Sequence, residues 1–350
     1  MKINQLDLFS GIGGFHLGFE RAGYEVTSFF SEIDKHAIAV YKHQFPNSTY
    51  VGSVTDVRGG DLPNIDLITF GSPCQDFSLA GKRLGMEGQR SSLVLEAIRL
   101  ITECRPRVFV WENVKGTFSS NSGEDFAAIL QAFANIGGYR LEWQLLNTSW
   151  FLPQNRERIY LVGYSANPSG RGVFPIGEDS STTASAEVKQ IGTKLDSNGG
   201  TQPYQQDRVY DADGIVPALN RGKSDLIIKE SVVEPNYKYE AANELVRKNN
   251  LTEGEVKGLD FYNQSVRDVI PTLTDPKHNS QGLFDGYRIR KLTPIECERL
   301  QGFPDDHTAY GNYDGEVKPM SNTQRYKQCG NAVTVDVVSA VAKNCLPLFK

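Results

Sequence analysis

The sequence has little positive charge, few cysteines and no long apolar run. Its 37 basic and 42 acidic residues give a formal net charge of -5, which excludes a uniformly basic nucleic-acid binder and leaves room for a local basic face. The five cysteines are widely spaced and form no CxxC pair, which argues for reduced thiols in a cytosolic setting without a disulfide framework or a zinc cluster. Because no apolar run approaches membrane-spanning length and the first residues carry no signal pattern, we expect a soluble protein of the cytoplasm with no membrane and no metal site.

The most informative stretch is 71–78 (GSPCQDFS), which follows the apolar run 65–70. That run is rich in β-branched and aromatic residues, so it predicts a buried strand, and Gly-Ser-Pro ends the strand and puts Cys74 just past it. Ligands of open α/β sheets bind outside the carboxyl ends of the strands. A thiol there is either catalytic or a small buried hydrophobe, and Cys74 alone does not decide between the two.

The amino-terminal part has the pattern of a nucleotide-binding βαβ unit. Residues 6–9 predict a strand, residues 10–14 a glycine-rich turn and residues 15–23 a helix. A second predicted strand, 25–31, is followed by Glu32. An acidic residue about 20 positions after such a turn binds a ribose hydroxyl in dinucleotide folds. A solvent-exposed carboxylate that leads into a helix fits the pattern equally well.

Other strand ends also carry polar groups. Residues 107–111 predict a buried strand that is followed at once by Glu112, and the polar residues 154–158 lead into a strand at 159–163. Glu112 is therefore a second potential chemical group just past the end of a strand.

The composition changes from about residue 167, where Gly, Ser, Asn, Gln and Asp become frequent. A weak internal repeat relates residues 209–219 to residues 266–273, and each copy is followed by a polar loop. Two strand-and-loop units of this kind suit contacts to base edges and phosphates. A small β domain with ordinary solvent-exposed turns is the alternative.

Taken together, these segments resemble the DNA (cytosine-5) methyltransferases, whose motifs they match in order. The matching segments are 7–14 (DLFSGIGG), 71–78 (GSPCQDFS), 112–114 (ENV), 154–158 (QNRER), 290–297 (RKLTPIEC) with 302–304 (GFP), and 330–333 (GNAV). The resemblance implies S-adenosylmethionine as methyl donor and, as acceptor, a cytosine flipped out of a specific double-stranded DNA site. It also implies a doubly wound, Rossmann-like α/β catalytic and cofactor-binding domain over 1–164, completed by a helix at 328–350. A smaller, mostly β target-recognition domain over 165–285 and a hinge or return segment over 286–327 are expected besides.

The chemistry of that reaction gives the motif residues distinct roles. Carbon 5 of cytosine is a poor nucleophile, so a thiolate first adds at carbon 6, and Cys74 is the candidate. Addition moves negative charge towards ring N3, where a protonated or proton-sharing carboxyl of Glu112 stabilises it. We assign Arg156 and Arg158 jointly to the base O2, the neighbouring phosphate and the thiolate, because the sequence does not divide these tasks. For the removal of the carbon 5 proton we expect a water.

By the same resemblance, the cofactor pocket draws on both ends of the chain, with Glu32 on the ribose hydroxyls. Two positions depart from the family's common pattern. Ser53 stands where many members have an aspartate that contacts the adenine amino group, and Ser72 stands where a second proline or an aromatic residue is frequent. At Ser72 we expect a slightly less rigid nucleophile loop and unchanged chemistry. The expected cofactor-binding residues are Phe9, Ser10, Gly11, Ile12, Gly13, Gly14, Glu32, Ile33, Ser53, Pro73, Leu93, Asn331 and Val333.

DNA contacts are expected from two polar loops and from the turns that follow the internal repeat. Residues 81–90 form a cationic, glycine-rich loop after Cys74, and residues 198–208 resemble the recognition loop of small bacterial members. Their side chains would fill the gap that the flipped base leaves, whereas as plain turn residues they would need no partner. The expected DNA-binding residues are Gln75, Ser78, Lys82, Arg83, Gln205, Arg208, Arg221 and Lys223.

Three other functions compete with this interpretation. A nicotinamide-dependent oxidoreductase would share the glycine turn and Glu32, but it gives no reason for Cys74, Glu112 and the paired arginines together. An RNA cytosine methyltransferase of the same family is closer, and the absence of the Cys-Phe-Thr tripeptide of the tRNA-directed branch argues against it. A noncatalytic DNA-binding module leaves Cys74 and Glu112 unexplained. We therefore expect a monomeric DNA modification enzyme of a bacterial or phage-infected cell, with a cognate restriction endonuclease as a potential partner.

Overall fold

The computed structural model describes residues 1–72, 92–118, 123–166, 169–177 and 292–349, with short segments at 216–217, 248–249, 257–260, 265–267, 281–284 and 289–290. Strands and helices alternate in the first half of the chain. The elements there are β1 (Lys2–Leu8), α1 (Gly14–Arg21), β2 (Glu25–Ser31), α2 (Lys35–Gln44), β3 (Thr49–Tyr50), β4 (Leu67–Gly71), α3 (Ser92–Cys104), β5 (Val108–Val114), α4 (Glu124–Ala134), β6 (Arg140–Asn147), β7 (Gln154–Asn155) and β8 (Glu157–Tyr164).

The second half contains short strands followed by helices. Its elements are β9 (Val216–Pro217), β10 (Lys257–Asp260), β11 (Ser265–Arg267), β12 (Gln281–Phe284), β13 (Ile289–Arg290), α5 (Pro294–Leu300), β14 (Tyr310–Tyr313), β15 (Glu316–Pro319), α6 (Asn322–Asn331) and α7 (Val335–Cys345). Strands β10 to β13 form an antiparallel sheet in the order β11-β10-β12-β13. Strand β13 lies a few residues past position 285, where the sequence predicts the end of the recognition domain.

The central sheet has seven strands in the order β3-β2-β1-β4-β5-β8-β6. Neighbours from β3 to β5 are parallel, and β8 runs antiparallel to both β5 and β6. The carboxyl ends of β1, β2, β4 and β5 therefore lie at one edge of the sheet. The amino end of β8 reaches the same edge, because Arg158 pairs with Val114.

Helices cover both faces of this sheet, so its inner strands are apolar on both sides. Helices α1 and α7 pack on one face, where Phe19 and Val338 meet Val110 of β5 in one core cluster. Helices α3 and α4 pack on the other face, where Phe133 lies in a second cluster with Trp111, also from β5. This arrangement confirms the doubly wound α/β fold, while the division into domains stays a prediction.

The apolar stretch Asn322–Phe349 has the length and composition of a membrane span, and 61% of its most apolar window is buried inside the protein. It is interrupted between α6 and α7, and Val335, Val338 and Ala342 of α7 are core residues. The stretch is therefore explained by its place in the core.

The return segment packs against the amino-terminal half. The ring Nδ1 of His36 on α2 lies 2.6 Å from the hydroxyl of Tyr313 on β14, and Lys327 of α6 lies 2.6 Å from Asp34 at the start of α2. Residues between 292 and 327 thus join the catalytic half of the chain, as does the helix that follows them.

Candidate active site

Glu112 and Arg158 form an ion pair at the carboxyl edge of the sheet. Nε of Arg158 lies 3.2 Å from Oε1 of Glu112, and the side chains are 15% and 10% exposed. Gly71 is paired with Glu112 across β4 and β5, and a Cβ built on Gly71 would lie 3.2 Å from Oε2 of Glu112. The missing side chain at Gly71 therefore leaves room for the Glu112 carboxylate, three residues before Cys74.

Arg156 has a different place. It is buried, and its guanidinium donates from Nη1 to the carbonyl of Gly330 at 3.3 Å and from Nη2 to the carbonyl of Ala332 at 2.8 Å. Arg156 stands in the break between β7 and β8, so it is outside the side-chain alternation that directs Arg158. The structure brings Arg158 to Glu112 and takes Arg156 to the loop 330–333.

The turn after β1 has left-handed backbone geometry beside Glu32. The φ angle is 52° at Phe9, 54° at Gly11 and 85° at Gly13. The N–H of Gly11 donates to Oε2 of Glu32 at 2.9 Å, and Oε1 accepts from the N–H of Ile33 at 2.8 Å. Strain of this kind at a non-glycine residue costs about 1–3 kcal/mol and concentrates at functional sites. The turn and the carboxylate form a rigid unit at the edge where ligands bind.

Residues from the far end of the chain pack against this turn. A Cβ at Gly14 would lie 2.6 Å from Cγ2 of Val333 and 3.4 Å from Cζ of Phe303. Nε2 of His307 donates to the carbonyl of Ile12 at 2.9 Å, and its ring stacks on Phe303 at a centroid distance of 4.4 Å. Burial lowers the pKa of His307 to about 4, so the imidazole is neutral and its proton sits on Nε2. Sequence reasoning missed His307, because a single histidine in a polar stretch does not signal its partner.

The structure describes five further residues that the sequence predicts to bind the cofactor. The hydroxyl of Ser10 is buried and has no hydrogen-bond partner among the residues that the structure describes. Ile33 is 80% exposed beside Glu32, and Asn331 is exposed at the end of α6. Ser53 Oγ lies 3.0 Å from Thr55 Oγ1, and Leu93 packs against the second core cluster. A buried hydroxyl without a partner and an exposed apolar side chain beside a fixed carboxylate fit a ligand with sugar hydroxyls and a flat ring.

Part of the predicted site lies outside the described residues. Those positions are Pro73, Cys74, Gln75, Ser78, Lys82, Arg83, Gln205, Arg208, Arg221 and Lys223. Within the described part of the chain, no group of three or more His, Cys, Asp or Glu could hold a metal ion.

A buried carboxyl, Asp7, lies on β1 just before the strained turn. Its Oδ1 accepts from Oγ1 of Thr69 at 2.8 Å, and Nε2 of Gln5 donates to that same Thr69 hydroxyl at 2.7 Å. The hydroxyl of Tyr41 lies 3.4 Å from Oδ2. Burial raises the pKa of Asp7 to about 8, so the group carries a proton at neutral pH.

Asp7→Asn is expected to raise stability increasingly as the pH rises from about 4 to about 8. The unfolded carboxyl loses its proton near pH 4, whereas the folded carboxyl keeps it to about pH 8. The free energy of unfolding of the wild type is therefore undiminished by this group below about pH 4 and declines as the pH rises towards 8. Asp7 lowers the free energy of unfolding of the wild type by about 5 kcal/mol at most over this range. Urea unfolding at pH 5, 6.5 and 8 measures it, with Asp61→Asn at an exposed position as control for charge removal. A stability difference between Asp7→Asn and wild type that stays constant over this range would contradict the assignment.

Comparison with known proteins identifies the family of this chain. A family model described as C-5 cytosine-specific DNA methylase matches residues 3–347. The chain is 32% identical over 345 residues to the type II methyltransferase M.Bsp6I of Bacillus sp. (strain RFL6), with 96% of each chain covered. It is 31% identical over 344 residues to the type II methyltransferase M.NlaX of Neisseria lactamica, covering 97% of this chain and 94% of the relative. The orphan methyltransferase M.SPRI of Bacillus phage SPR is 28% identical over 439 residues, with 99% and 98% covered.

Solved structures share the fold. The S. pombe Dnmt2 methyltransferase matches with a TM-score of 0.60 at 19% identity, covering 97% of each chain. The Entamoeba histolytica methyltransferase EhMeth matches with a TM-score of 0.57 at 17% identity, covering 100% of this chain and 98% of the other. With a family model that spans almost its whole length, and with the motif residues Glu112 and Arg158 paired at the sheet edge, this chain belongs to the C-5 cytosine-specific DNA methylases and is a DNA (cytosine-5) methyltransferase.

Proposed function

We propose that this enzyme methylates a cytosine that is flipped out of a specific double-stranded DNA site, through a covalent bond between Cys74 and carbon 6 of the base. The observation that carries the proposal is the ion pair of Glu112 and Arg158 beside Gly71. Gly71 is three residues before Cys74, so the Glu112 carboxyl and the Arg158 guanidinium lie beside the start of the segment that carries the cysteine. Together these groups supply what addition to a cytosine ring needs.

The methyl donor in this proposal is S-adenosylmethionine, which supplies an electrophilic methyl group when it is bound. Glu32 is oriented by the N–H groups of Gly11 and Ile33, and in this proposal its carboxylate accepts hydrogen bonds from the ribose hydroxyls. The exposed side chain of Ile33 offers an apolar surface to the adenine ring, and the hydroxyl of Ser10 has a hydrogen bond to give. Val333, packed against Gly14, closes the pocket from the carboxyl-terminal side.

In the proposed cycle the Cys74 thiolate attacks carbon 6 and the electron pair of the ring double bond moves towards carbon 5 and N3. Glu112 holds a proton at N3, which keeps the charge off the ring. Carbon 5 then takes the methyl group, for which the donor would leave as a neutral thioether, and N3 returns its proton to Glu112. Loss of the carbon 5 proton to a water restores the double bond and expels the thiolate, so Cys74 ends the cycle as it began.

The two arginines have separate tasks in this proposal. Arg158, beside Glu112, donates to the base O2 and favours the thiolate. Arg156 binds the carbonyls of Gly330 and Ala332, and so holds the loop that carries Val333 against the cofactor turn. The joint assignment made from the sequence is thereby divided.

Target recognition is assigned to residues 165–285, with Gln205, Arg208, Arg221 and Lys223 as DNA contacts. Support comes from the parallel pairing of β9 with β7, which joins this part of the chain to the strand directly before Arg156. Gln75, Ser78, Lys82 and Arg83 are proposed to contact DNA from the nucleophile side. The relatives include type II and orphan methyltransferases, so we propose a monomeric modification enzyme in the cytoplasm whose partner is a restriction endonuclease of the same site.

Two linked experiments test the proposal. Bisulfite sequencing of DNA from cells that express the protein identifies the methylated site. A duplex with 5-fluorocytosine at that site is then expected to form a denaturation-resistant complex with the enzyme in the presence of S-adenosylmethionine, because fluorine blocks the final elimination. Methylation without such a complex would overturn the covalent route and leave the family activity intact.

A further inference from the structure

Ser72, the residue that departs from the family's common pattern, is hydrogen-bonded to two side chains of β5. Its Oγ accepts from Nε1 of Trp111 at 3.0 Å and from Nδ2 of Asn113 at 3.1 Å. The same Nδ2 lies 3.4 Å from the carbonyl oxygen of Ser72. All three residues are buried, so no water competes for these contacts at the protein surface. The less rigid nucleophile loop that the sequence predicts lies outside the described residues from position 73 on, and Ser72 itself is held at its hydroxyl and at its carbonyl.

The donors on β5 are themselves fixed. Oδ1 of Asn113 accepts from the N–H of Val114 at 2.7 Å and from Oγ1 of Thr117 at 3.2 Å, which sets the direction of its amide group. Trp111 is fully buried in the core cluster that α3 and α4 cover. The acceptor on Ser72 therefore meets two donors whose positions the core determines.

Strand alternation connects these donors to the catalytic carboxyl. Side chains at positions 111 and 113 point to one face of β5, and that of Glu112 between them points to the other, where it meets Arg158 and Gly71. Trp111 and Asn113 thus bind Ser72, at the start of the nucleophile segment 72–74, and Glu112 between them points to the opposite face of β5.

Only Pro73 separates Ser72 from Cys74 in the sequence. A hydrogen bond to the carbonyl of Ser72 fixes the plane of the peptide that joins it to Pro73. The proline ring fixes its own φ and restricts the residue before it to extended geometry. Because two residues span at most about 7 Å, the covalent connection alone ties the position of Cys74 to that of Ser72.

We infer that Ser72 is a positioning residue that sets where the Cys74 thiolate stands relative to Glu112, by accepting hydrogen bonds from Trp111 and Asn113. The inference rests on the proposed covalent role of Cys74. It assigns to Ser72 a contribution to the rate of attack on the base, in addition to the stability that any buried hydrogen bond supplies.

Ser72→Ala tests the inference, with Ser28→Ala as the matched control. Ser28 is also a buried serine, and its Oγ lies 2.7 Å from the hydroxyl of Tyr41, away from the nucleophile segment. Both variants lose a buried hydrogen bond and are expected to melt at a lower temperature than wild type. Only Ser72→Ala is expected to slow formation of the covalent complex with 5-fluorocytosine DNA, by about ten- to a hundredfold, because misplacement by about 1 Å has effects of that size.

The measurements are the melting temperature, the KM for S-adenosylmethionine and the single-turnover rate of complex formation. The expected result for Ser72→Ala is a slow rate with a KM within about twofold of wild type. Equal rates for Ser72→Ala and Ser28→Ala would overturn the inference. If Ser72→Ala does not fold, Trp111→Phe decides, since it removes one of the two donors and leaves the serine in place, and an unchanged rate in that variant also overturns the inference. A wild-type enzyme that forms no complex would instead overturn the covalent role of Cys74 itself, and this inference with it.

Discussion

Cys74→Ser is expected to abolish methyl transfer, with kcat lower by at least about 10⁴-fold, while S-adenosylmethionine still binds. A hydroxyl ionises so much less readily than a thiol that almost no nucleophile exists at neutral pH, and the cytosine ring is not activated without addition at carbon 6. Ser10, Glu32 and Val333, which are proposed to bind the cofactor, lie on the β1 turn, after β2 and in the loop before α7, so the substitution leaves them in place. Methyl incorporation into DNA measures the first effect and equilibrium binding of the cofactor measures the second.

Cys104→Ser is the control for this prediction. Burial raises the pKa of the Cys104 thiol to about 11, so that group is not a thiolate at neutral pH, and it lies at the end of α3 away from the site. The control variant is expected to keep its activity within about twofold. Turnover by Cys74→Ser at a rate close to that of Cys104→Ser would refute the proposed mechanism.

The fold was predictable from the sequence because local patterns agree with the tertiary arrangement. The strand predicted at 25–31 is β2, and the helix after it, α2, begins with N–H groups that bond the Asp34 side chain. Thr293 and Glu296 form the capping box that their spacing predicts at the start of α5. Hydrophobic period and capping residues are local signals, and here nothing in the core opposes them.

Helix α6 and the hairpin of β14 and β15 were not predicted. Helix α6 has the sequence NTQRYKQCGN, which is mostly polar, so it carries little apolar periodicity. The hairpin has a mostly exposed second strand, and it is held through contacts to α2 such as the one between Tyr313 and His36. Elements that depend on distant partners leave weak local signals.

The residues of the candidate site were likewise predictable only in part. Glu112 and Arg158 were found by motif, and the structure places them together. The separate position of Arg156 follows from the break between β7 and β8, which two-residue spacing does not reveal. The contacts of His307 to Ile12 and of Ser72 to Trp111 join residues 295 and 39 positions apart, and single-sequence patterns do not carry pairings at such distances.

Glu112→Gln is expected to lower kcat by about 10²- to 10⁴-fold with little change in the KM for DNA. The amide has nearly the shape of the carboxyl, so its oxygen can keep its place beside Nε of Arg158, although the attraction between opposite charges is lost. What the amide lacks is an ionisable group that can hold a proton at N3 while negative charge develops there. The loss therefore falls on the transition state for addition, and the rate of covalent complex formation with 5-fluorocytosine DNA is expected to decline with kcat.

Glu157→Gln separates this effect from the loss of any carboxylate near the site. Glu157 lies on β8 directly before Arg158 and pairs with Lys115 at 2.8 Å, with both side chains at least one-third exposed. A surface pair of this kind contributes at most about 1 kcal/mol, so that variant is expected to turn over at a rate close to wild type. If Glu112→Gln were as active as Glu157→Gln, the carboxyl beside Arg158 would have a structural task only, and the proton at N3 would have to come from another group. If both complex formation and turnover fall in Glu112→Gln alone, the carboxyl acts on the ring at the step in which Cys74 adds.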